Sequence, residues 1–226
     1  ERYYKMLSIQ TAREYARAVA LCGATCNSSV HAGAGRLAQT LTEYFERERG
    51  LITTACNDSY TECYGMHAAT NAVLTGLTTP AEEQQIYESL LSNPAHICSF
   101  SPFNTYFILE AMSRLRLDGG RKASMRAALA MVRRCFHGMN RLGATTYWET
   151  FSPEWNSILS VGAATPNSQT GYMSHCHPWA SGAAPWLTHH VLGLQPQSPG
   201  WKNFSATPFL DPAAPNLLTS VRGVQT

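Results

Sequence analysis

The sequence predicts an all-α fold built from helical hairpins. Apolar residues recur with a helical period over most of the 226 residues. Glycine, proline and capping residues divide these periodic segments into about seven helices. The connections are mostly short, and short connections make neighbouring helices antiparallel. We therefore expect a row of helical hairpins.

Apolar stripes mark the first three predicted helices. A stripe that is one face wide lets a helix pack that face on a core and turn its other face to solvent. The stripes are Tyr4, Leu7, Thr11, Tyr15 and Val19, then Leu37, Leu41 and Phe45, and then Met66, Ala69, Val73 and Leu77.

Capping and proline signals delimit the next two helices. Thr79-Pro-Ala-Glu82 has the pattern of a capping box and opens a helix that should end at Asn93-Pro94. Its apolar positions are Ile86, Leu90 and Leu91. Ser101-Pro102 starts the following helix, which is predicted to stop at Asp118-Gly-Gly120.

The clearest helical stripe precedes Gly143, where that helix is predicted to end. It consists of Met125, Leu129, Val132, Phe136 and Met139. A last helix should run from about Pro178 to Leu192 and stop at Gly193, with Trp179, Ala183, Trp186 and Val191 on one side. The residue pattern favours core packing for Trp186, and the late His189-His190 pair complements the helix dipole.

Beyond Trp201 the helical pattern fails because prolines recur in the chain. Leu217–Arg222 could form a single strand, and a strand without a partner is unstable. We therefore divide the chain into a helical domain over residues 1–204 and, over residues 205–226, a linker with the first strand of a β-domain that the chain does not include.

Composition excludes several classes of function. With 17 Lys and Arg against 15 Asp and Glu, the net charge of +2 provides no basic surface for nucleic acid or anionic membranes. No apolar run approaches the roughly 20 residues that a membrane span needs, and the N-terminus lacks a signal-peptide core. The charged fraction of 14% is below the usual ~25%, which indicates a large interface or a further part of the same protein.

The cysteines and possible glycosylation sites favour an extracellular protein. The seven cysteines show no CxxC pair, and His175-Cys176-His177 lacks partners at metal-ligand spacing, so we expect no metal and no cofactor. Asn27, Asn57 and Asn203 each begin an N-x-Ser sequence. An odd cysteine count predicts either a free thiol or a bond to sequence outside this segment.

Two aromatic segments predict a sugar pocket. Glu149 lies among Tyr147, Trp148 and Phe151, and a later segment contains His175, His177, Trp179 and Trp186. Aromatic faces stack on the C–H-rich faces of pyranose rings, while carboxylates and imidazoles bond their hydroxyls. Carbohydrate chemistry is therefore the first hypothesis for this chain.

Four segments, in this order, resemble the C-terminal half of the catalytic domain of α-L-rhamnosidases, glycoside hydrolase family 78. They are Gly143-Ala-Thr-Thr-Tyr-Trp-Glu149, Ser174-His-Cys-His-Pro-Trp179, Val191-Leu-Gly-Leu-Gln-Pro196, and Pro199-Gly-Trp201 with Pro208 beyond it. The helix of residues 65–76 also resembles the matching helix of that domain. The resemblance covers residues 55–225.

The resemblance implies an (α/α)6 barrel of six hairpins, of which this chain supplies part, and inverting hydrolysis of terminal α-L-rhamnose. An inverting enzyme uses one carboxylic acid and one carboxylate, with a water between them. The family's acidic segment with the general acid has no counterpart here. The implied partners are therefore the carbohydrate substrate and the rest of the same enzyme, namely the upstream half of the barrel and the β-domains.

The resemblance also assigns roles to single residues. Glu149 takes the position of the general base, although Thr150 replaces the acidic residue that often follows it in the family. His177 matches an imidazole that points at the sugar. Trp179, Trp148 and Tyr147 are expected to form apolar walls for a 6-deoxysugar, and His175 is a further candidate for substrate binding.

Three alternatives stay open at the level of sequence. A six-hairpin glycosidase or lyase that acts on another sugar would keep the fold and change the pocket. A non-catalytic sugar-binding relative would keep the tryptophans and lose carboxylates. An α-solenoid interaction protein is the third alternative, but the chain shows no sequence repeat with a period of roughly 34 to 47 residues.

Overall fold

The structure is a computed structural model, and it describes residue 11 and residues 28–53, 65–92, 102–151, 174–214 and 218–223. The described part is mainly helical, as the sequence predicts, with a small two-stranded sheet. No helix in these ranges is both long and apolar enough to cross a membrane. The predicted stripe from Tyr4 to Val19 lies outside the described residues, except for Thr11.

Helices α1 to α5 come first in the described part of the chain. A segment with three successive windings follows α5, and the sheet follows that segment. The helices are α1 (Ser28–Thr53), α2 (Gly65–Thr75), α3 (Pro80–Ile86), α4 (Pro102–Arg114) and α5 (Gly120–Arg141). The three-part segment is a 3-10 turn (Pro178–Gly182), the short α6 (Ala183–Trp186) and a π turn (Leu187–Val191). A further π turn (Tyr87–Leu91) continues α3.

The chain divides into two compact units. The first contains Glu1–Leu91 and Arg114–Asp118, and in it α1 packs against α2 and α3. Its core includes Phe45, Ala69, Val73, Ile86 and Leu90, which belong to the predicted apolar stripes. Leu37, which shares a predicted stripe with Phe45, is instead 47% exposed.

The second unit contains Ser92–Ser113 and Gly119–Thr226. The predicted stripe of α5 is buried except for its central member, because Val132 is only half-buried. Buried residues of the unit include Ile108, Leu109, Met112, Met125, Leu129, Phe136, Met139, Trp148, Phe151 and Trp186. The prediction that Trp186 packs in the core is confirmed.

Strands β1 (Leu194–Pro196) and β2 (Phe204–Ala206) form an antiparallel hairpin around a 3-10 turn (Pro199–Trp201). The strand that the sequence placed at Leu217–Arg222 is absent from residues 218–223. Each observed strand has three residues, too few to show a clear alternation of apolar and polar residues. The predicted domain boundary at residues 204 and 205 falls inside β2.

Candidate functional site

Two loop segments that are far apart in sequence run side by side in the second unit. The N–H of Glu149 donates to the carbonyl of Ser174 at 3.0 Å, and the N–H of His177 donates to the carbonyl of Tyr147 at 2.8 Å. The Thr146 hydroxyl donates to the carbonyl of His175. These bonds hold residues 146–149 against residues 174–177.

The end of α5 directs the first of these segments. Gly143 has a φ of +86°, and its N–H donates to the carbonyl of Asn140 at 3.0 Å. The N–H of Ala144 donates to the carbonyl of Met139 at 3.1 Å, which completes a Schellman motif. The left-handed backbone requires glycine at this position, so the predicted stop at Gly143 is confirmed and has a physical cause.

Glu149 and His177 are neighbours in this arrangement. Glu149 Oε2 accepts a hydrogen bond from the backbone N–H of Ser174 at 2.8 Å and lies 4.0 Å from His177 Nδ1. The side chains of Glu149 and His177 are 24% and 21% exposed, so solvent reaches both. A carboxylate with one oxygen fixed by a backbone donor, beside an imidazole, can accept a proton from water or bond a sugar hydroxyl.

An aromatic platform adjoins the imidazole. The ring centroids of His177 and Trp179 are 4.4 Å apart, and those of Trp179 and Phe103 are 5.3 Å apart. Trp179 is 58% exposed although the sequence placed it on the same face as the buried Trp186. A large exposed aromatic surface beside polar groups is typical of a binding site.

A close helix contact holds the platform in place. A Cβ added at Gly182 would lie 2.5 Å from the Tyr106 Cβ and 3.1 Å from the Tyr106 backbone. Only glycine therefore allows the 3-10 turn that contains Trp179 to approach α4 so closely. This contact brings Phe103, which is in the first turn of α4, next to Trp179.

The other predicted substrate-binding residues have different surroundings. Trp148 is only 4% exposed, so it offers little surface to a ligand, and its expected place in a pocket wall stays a prediction. His175 is exposed, and its ring centroid lies 5.1 Å from that of Trp148. Tyr147 is half-buried and packs edge-to-face on Phe136, with the ring centroids 6.0 Å apart. Trp148 thus supports the two-segment arrangement from the core.

Sequence reasoning missed Phe103, Ser174 and a largely buried pair elsewhere in the second unit. Phe103 could have been noticed from the sequence, because the start of α4 contains three aromatic residues, Phe103, Tyr106 and Phe107. The second acts through its backbone, so its residue type carries no signal. The third is formed by His190 Nε2 and Glu110 Oε1, which are 2.8 Å apart.

The chemical state of two cysteines is defined in the described residues. Cys135 is disulfide-bonded, and the exposed Cys176 is a free thiol. Within the described ranges, no three His, Cys, Asp or Glu side chains come together as a metal site would require.

No protein-family model matches this chain, and no curated protein is significantly similar to it. The function must therefore be argued from the site itself and from the four-segment resemblance. The site offers a carboxylate, an imidazole and an exposed indole next to one another.

Proposed function

We propose that this chain is part of an inverting glycoside hydrolase that removes terminal α-L-rhamnose from glycosides or polysaccharides. The supporting observation is the row formed by the Glu149 carboxylate, the His177 imidazole and the exposed Trp179 indole. Glu149 is the general base, His177 bonds a sugar hydroxyl, and Trp179 with Phe103 packs against the apolar face of the sugar ring. The proposed (α/α)6 barrel places this row at its mouth.

The proposed chemistry is a single displacement. Water attacks the anomeric carbon while Glu149 accepts one of its protons, and the bond from that carbon to the leaving oxygen breaks. A carboxylic acid on the opposite face of the sugar donates a proton to the leaving oxygen. The hydrogen bond from Ser174 to Oε2 sets the orientation of the base, which is how an enzyme positions a proton acceptor.

The rest of the same enzyme, including the upstream half of the barrel and the β-domains, supplies the acid in this proposal. Secretion is part of the proposal too. The disulfide at Cys135 supports it, because disulfides persist mainly in oxidising compartments.

The test is steady-state hydrolysis of an aryl α-L-rhamnoside by the full-length protein. We expect Glu149→Gln to lower kcat by ~10² to 10⁴ with little change in KM, since the amide keeps the shape but cannot take the proton. His177→Ala should raise KM, because it removes a contact made in both the ground state and the transition state. Glu88→Gln makes the same change at an exposed position and should have no effect.

The stereochemistry of the product provides a second criterion. NMR of the first-formed anomer should show inversion. Near wild-type kcat for Glu149→Gln, or a retained anomer, would contradict the assignment of the base. Activity on another sugar would support the alternative of a different six-hairpin glycosidase or lyase.

A non-catalytic sugar-binding protein is the second candidate, and the exposed Trp179 platform favours it. In that case Trp179→Ala would abolish sugar binding, whereas the full-length protein would hydrolyse no glycoside.

A further inference from the structure

The connection between β1 and β2 contains one of the three N-x-Ser sequences of this chain. Asn203 immediately precedes β2 and is exposed, and Phe204 and Ser205 are the first two residues of that strand. An N-x-Ser sequence accepts an N-linked glycan in secreted proteins when it lies at a surface loop and its middle residue is not proline. The other two sequences, at Asn27 and Asn57, lie outside the described residues.

Hydrogen bonds hold the backbone of Asn203 and leave its side chain unused. The N–H of Asn203 donates to the Ser198 hydroxyl at 2.9 Å, and its carbonyl accepts the N–H of Gln197 at 2.8 Å. Among the described residues, none forms a hydrogen bond with the Asn203 side chain. A bulky group attached to Nδ2 therefore costs the fold no hydrogen bond and projects into solvent.

Two exposed aromatic residues lie close to Asn203 in the sequence. Trp201 is 39% exposed and Phe204 is 51% exposed. Trp201 also has a φ of +57°, which is uncommon for a bulky residue and is found mainly where function requires it. Aromatic faces stack on the C–H-rich faces of sugar rings. A glycan on Asn203 would thus be attached beside apolar surface that its sugars can cover.

We propose that Asn203 carries an N-linked glycan. The proposal rests on secretion, which is part of the proposed function and is supported by the disulfide at Cys135. The sugar donor is a lipid-linked oligosaccharide diphosphate. Nδ2 forms a bond to the anomeric carbon of the first sugar and loses a proton, while the bond from that carbon to the phosphate oxygen breaks and the lipid diphosphate leaves.

The test is site-specific mass spectrometry of the full-length protein, produced in a eukaryotic host and collected from the medium. Peptide-N-glycosidase releases the glycan and converts the modified asparagine to aspartate, which takes up heavy oxygen from labelled water. We expect the peptide with Asn203 to be labelled. Asn140 is exposed but begins no N-x-Ser or N-x-Thr sequence, so it should stay unlabelled.

Three variants separate recognition of the sequence from an effect on folding. Asn203→Gln should lower the intact mass by one glycan. Ser205→Ala should do the same although Asn203 remains, because the modification requires a hydroxyl two positions after the asparagine. Ser205→Thr keeps a hydroxyl that can accept the hydrogen bond from Gln197 Nε2, and it should keep the glycan.

Secreted protein without label at Asn203 would overturn the proposal, whether or not Asn27 and Asn57 are labelled. So would a glycan that persists in Ser205→Ala. Retention of the unmodified protein inside the cell would overturn secretion and this proposal together. None of these readouts depends on hydrolysis of a rhamnoside, so failure of the proposed catalytic activity is a separate result.

Discussion

At the scale of single residues, Glu83 shows how the first unit accommodates a buried carboxylate. Burying a charge is costly unless several donors compensate it. The Thr78 hydroxyl donates to Glu83 Oε1 at 2.9 Å, and the backbone N–H of Arg116 donates to Oε2 at 2.7 Å. The Arg116 guanidinium adds further hydrogen bonds, and the pairing raises the pKa of Arg116.

This network predicts a specific cost for Glu83→Gln. The amide NH2 would face donors that now bond a carboxylate oxygen, so the first unit should lose about 1–3 kcal/mol in its free energy of unfolding. All five tryptophans belong to the second unit, so fluorescence does not report on this change. Hydrogen–deuterium exchange of residues 80–91 should become faster.

Glu88→Gln is the matched control for this experiment, since Glu88 is exposed one turn further along the same segment. Equal exchange rates in the two variants would show that the charge of Glu83 is unimportant.

The same network explains why one predicted helix end is wrong. The sequence placed the end of α4 at Asp118-Gly-Gly120, but the helix ends at Arg114. The next three residues belong to no helix or strand, and Leu115 and Leu117 are buried while Arg116 reaches Glu83. Nothing in the local pattern of α4 reveals this partner, because it lies 33 positions earlier in the sequence.

At the scale of elements, local signals predicted boundaries where the stabilising bonds are themselves local. The capping box of Thr79 and Glu82 forms as predicted, with the Glu82 N–H donating to the Thr79 hydroxyl at 3.3 Å and the Thr79 N–H donating to Glu82 Oε2 at 2.7 Å. The Schellman motif at Gly143 is equally local. Both can be predicted from a few adjacent residues.

The segment Pro178–Leu192 was predicted as one helix and is instead three windings in succession. Pro185 lies within it and has no N–H to donate to the preceding turn. The following residues form a π turn. With these three windings, Trp179 is exposed while Trp186 is buried. Helical periodicity alone would put both residues on one face.

The contact between Gly182 and Tyr106 leads to a prediction for this element. Gly182→Ala would force a Cβ against the α4 backbone, so we expect a loss of about 1–3 kcal/mol, the usual cost of overpacking. The Trp179 platform should shift with it, and sugar binding should weaken. Tryptophan fluorescence during urea unfolding measures the first effect.

Gly35→Ala is the control, because α1 leaves open space there and alanine favours helix. Because Gly35 lies in the first unit, which contains no tryptophan, this control is followed by circular dichroism, and Gly35→Ala should cause no destabilisation. If Gly182→Ala were equally harmless, the close approach would not hold the platform.

At the scale of the whole molecule, the sequence predicts the class of the fold better than its closure. Periodicity identifies helices and their buried faces, as the core residues of α5 show. It does not determine how hairpins are arranged in a ring, since that depends on long-range packing. The (α/α)6 barrel comes from the resemblance alone and stays a prediction. For the site, the structure places His177 next to both Glu149 and Trp179, and the catalytic and binding roles of all three stay predictions.

An ion pair fastens the residues after β2 to α5. Asp211 Oδ2 lies 2.5 Å from Arg126 Nε, and Asp211 Oδ1 accepts the N–H of Ala213 at 3.1 Å. The Asp211 side chain is only 3% exposed. The hydrogen bond from Arg126 lowers the pKa of Asp211 below its usual value, against the opposing effect of burial.

This lowered pKa predicts how the stability of the second unit depends on pH. Because Asp211 is a stronger acid in the folded protein than in the unfolded chain, its ionised form stabilises the fold. That contribution is complete above the unfolded-state pKa of about 3.9 and is lost as the pH falls through the lower folded-state pKa. Asp211→Asn should therefore destabilise the protein at neutral pH, and its difference from wild type should shrink with acidification.

Urea unfolding followed by tryptophan fluorescence, from pH 7 to pH 2, measures this dependence, because every tryptophan lies in the unit that contains the pair. Asp118→Asn changes an exposed carboxylate of the first unit, so it is followed by circular dichroism, and it should show no such trend. A difference between wild type and Asp211→Asn that stayed constant down to pH 2 would mean that Asp211 acts through packing and backbone hydrogen bonds. If the difference between wild type and Asp211→Asn shrinks on acidification, and if Arg126→Gln also loses this pH dependence, the effect comes from the ion pair. Each of the two variants takes away one of its two charges.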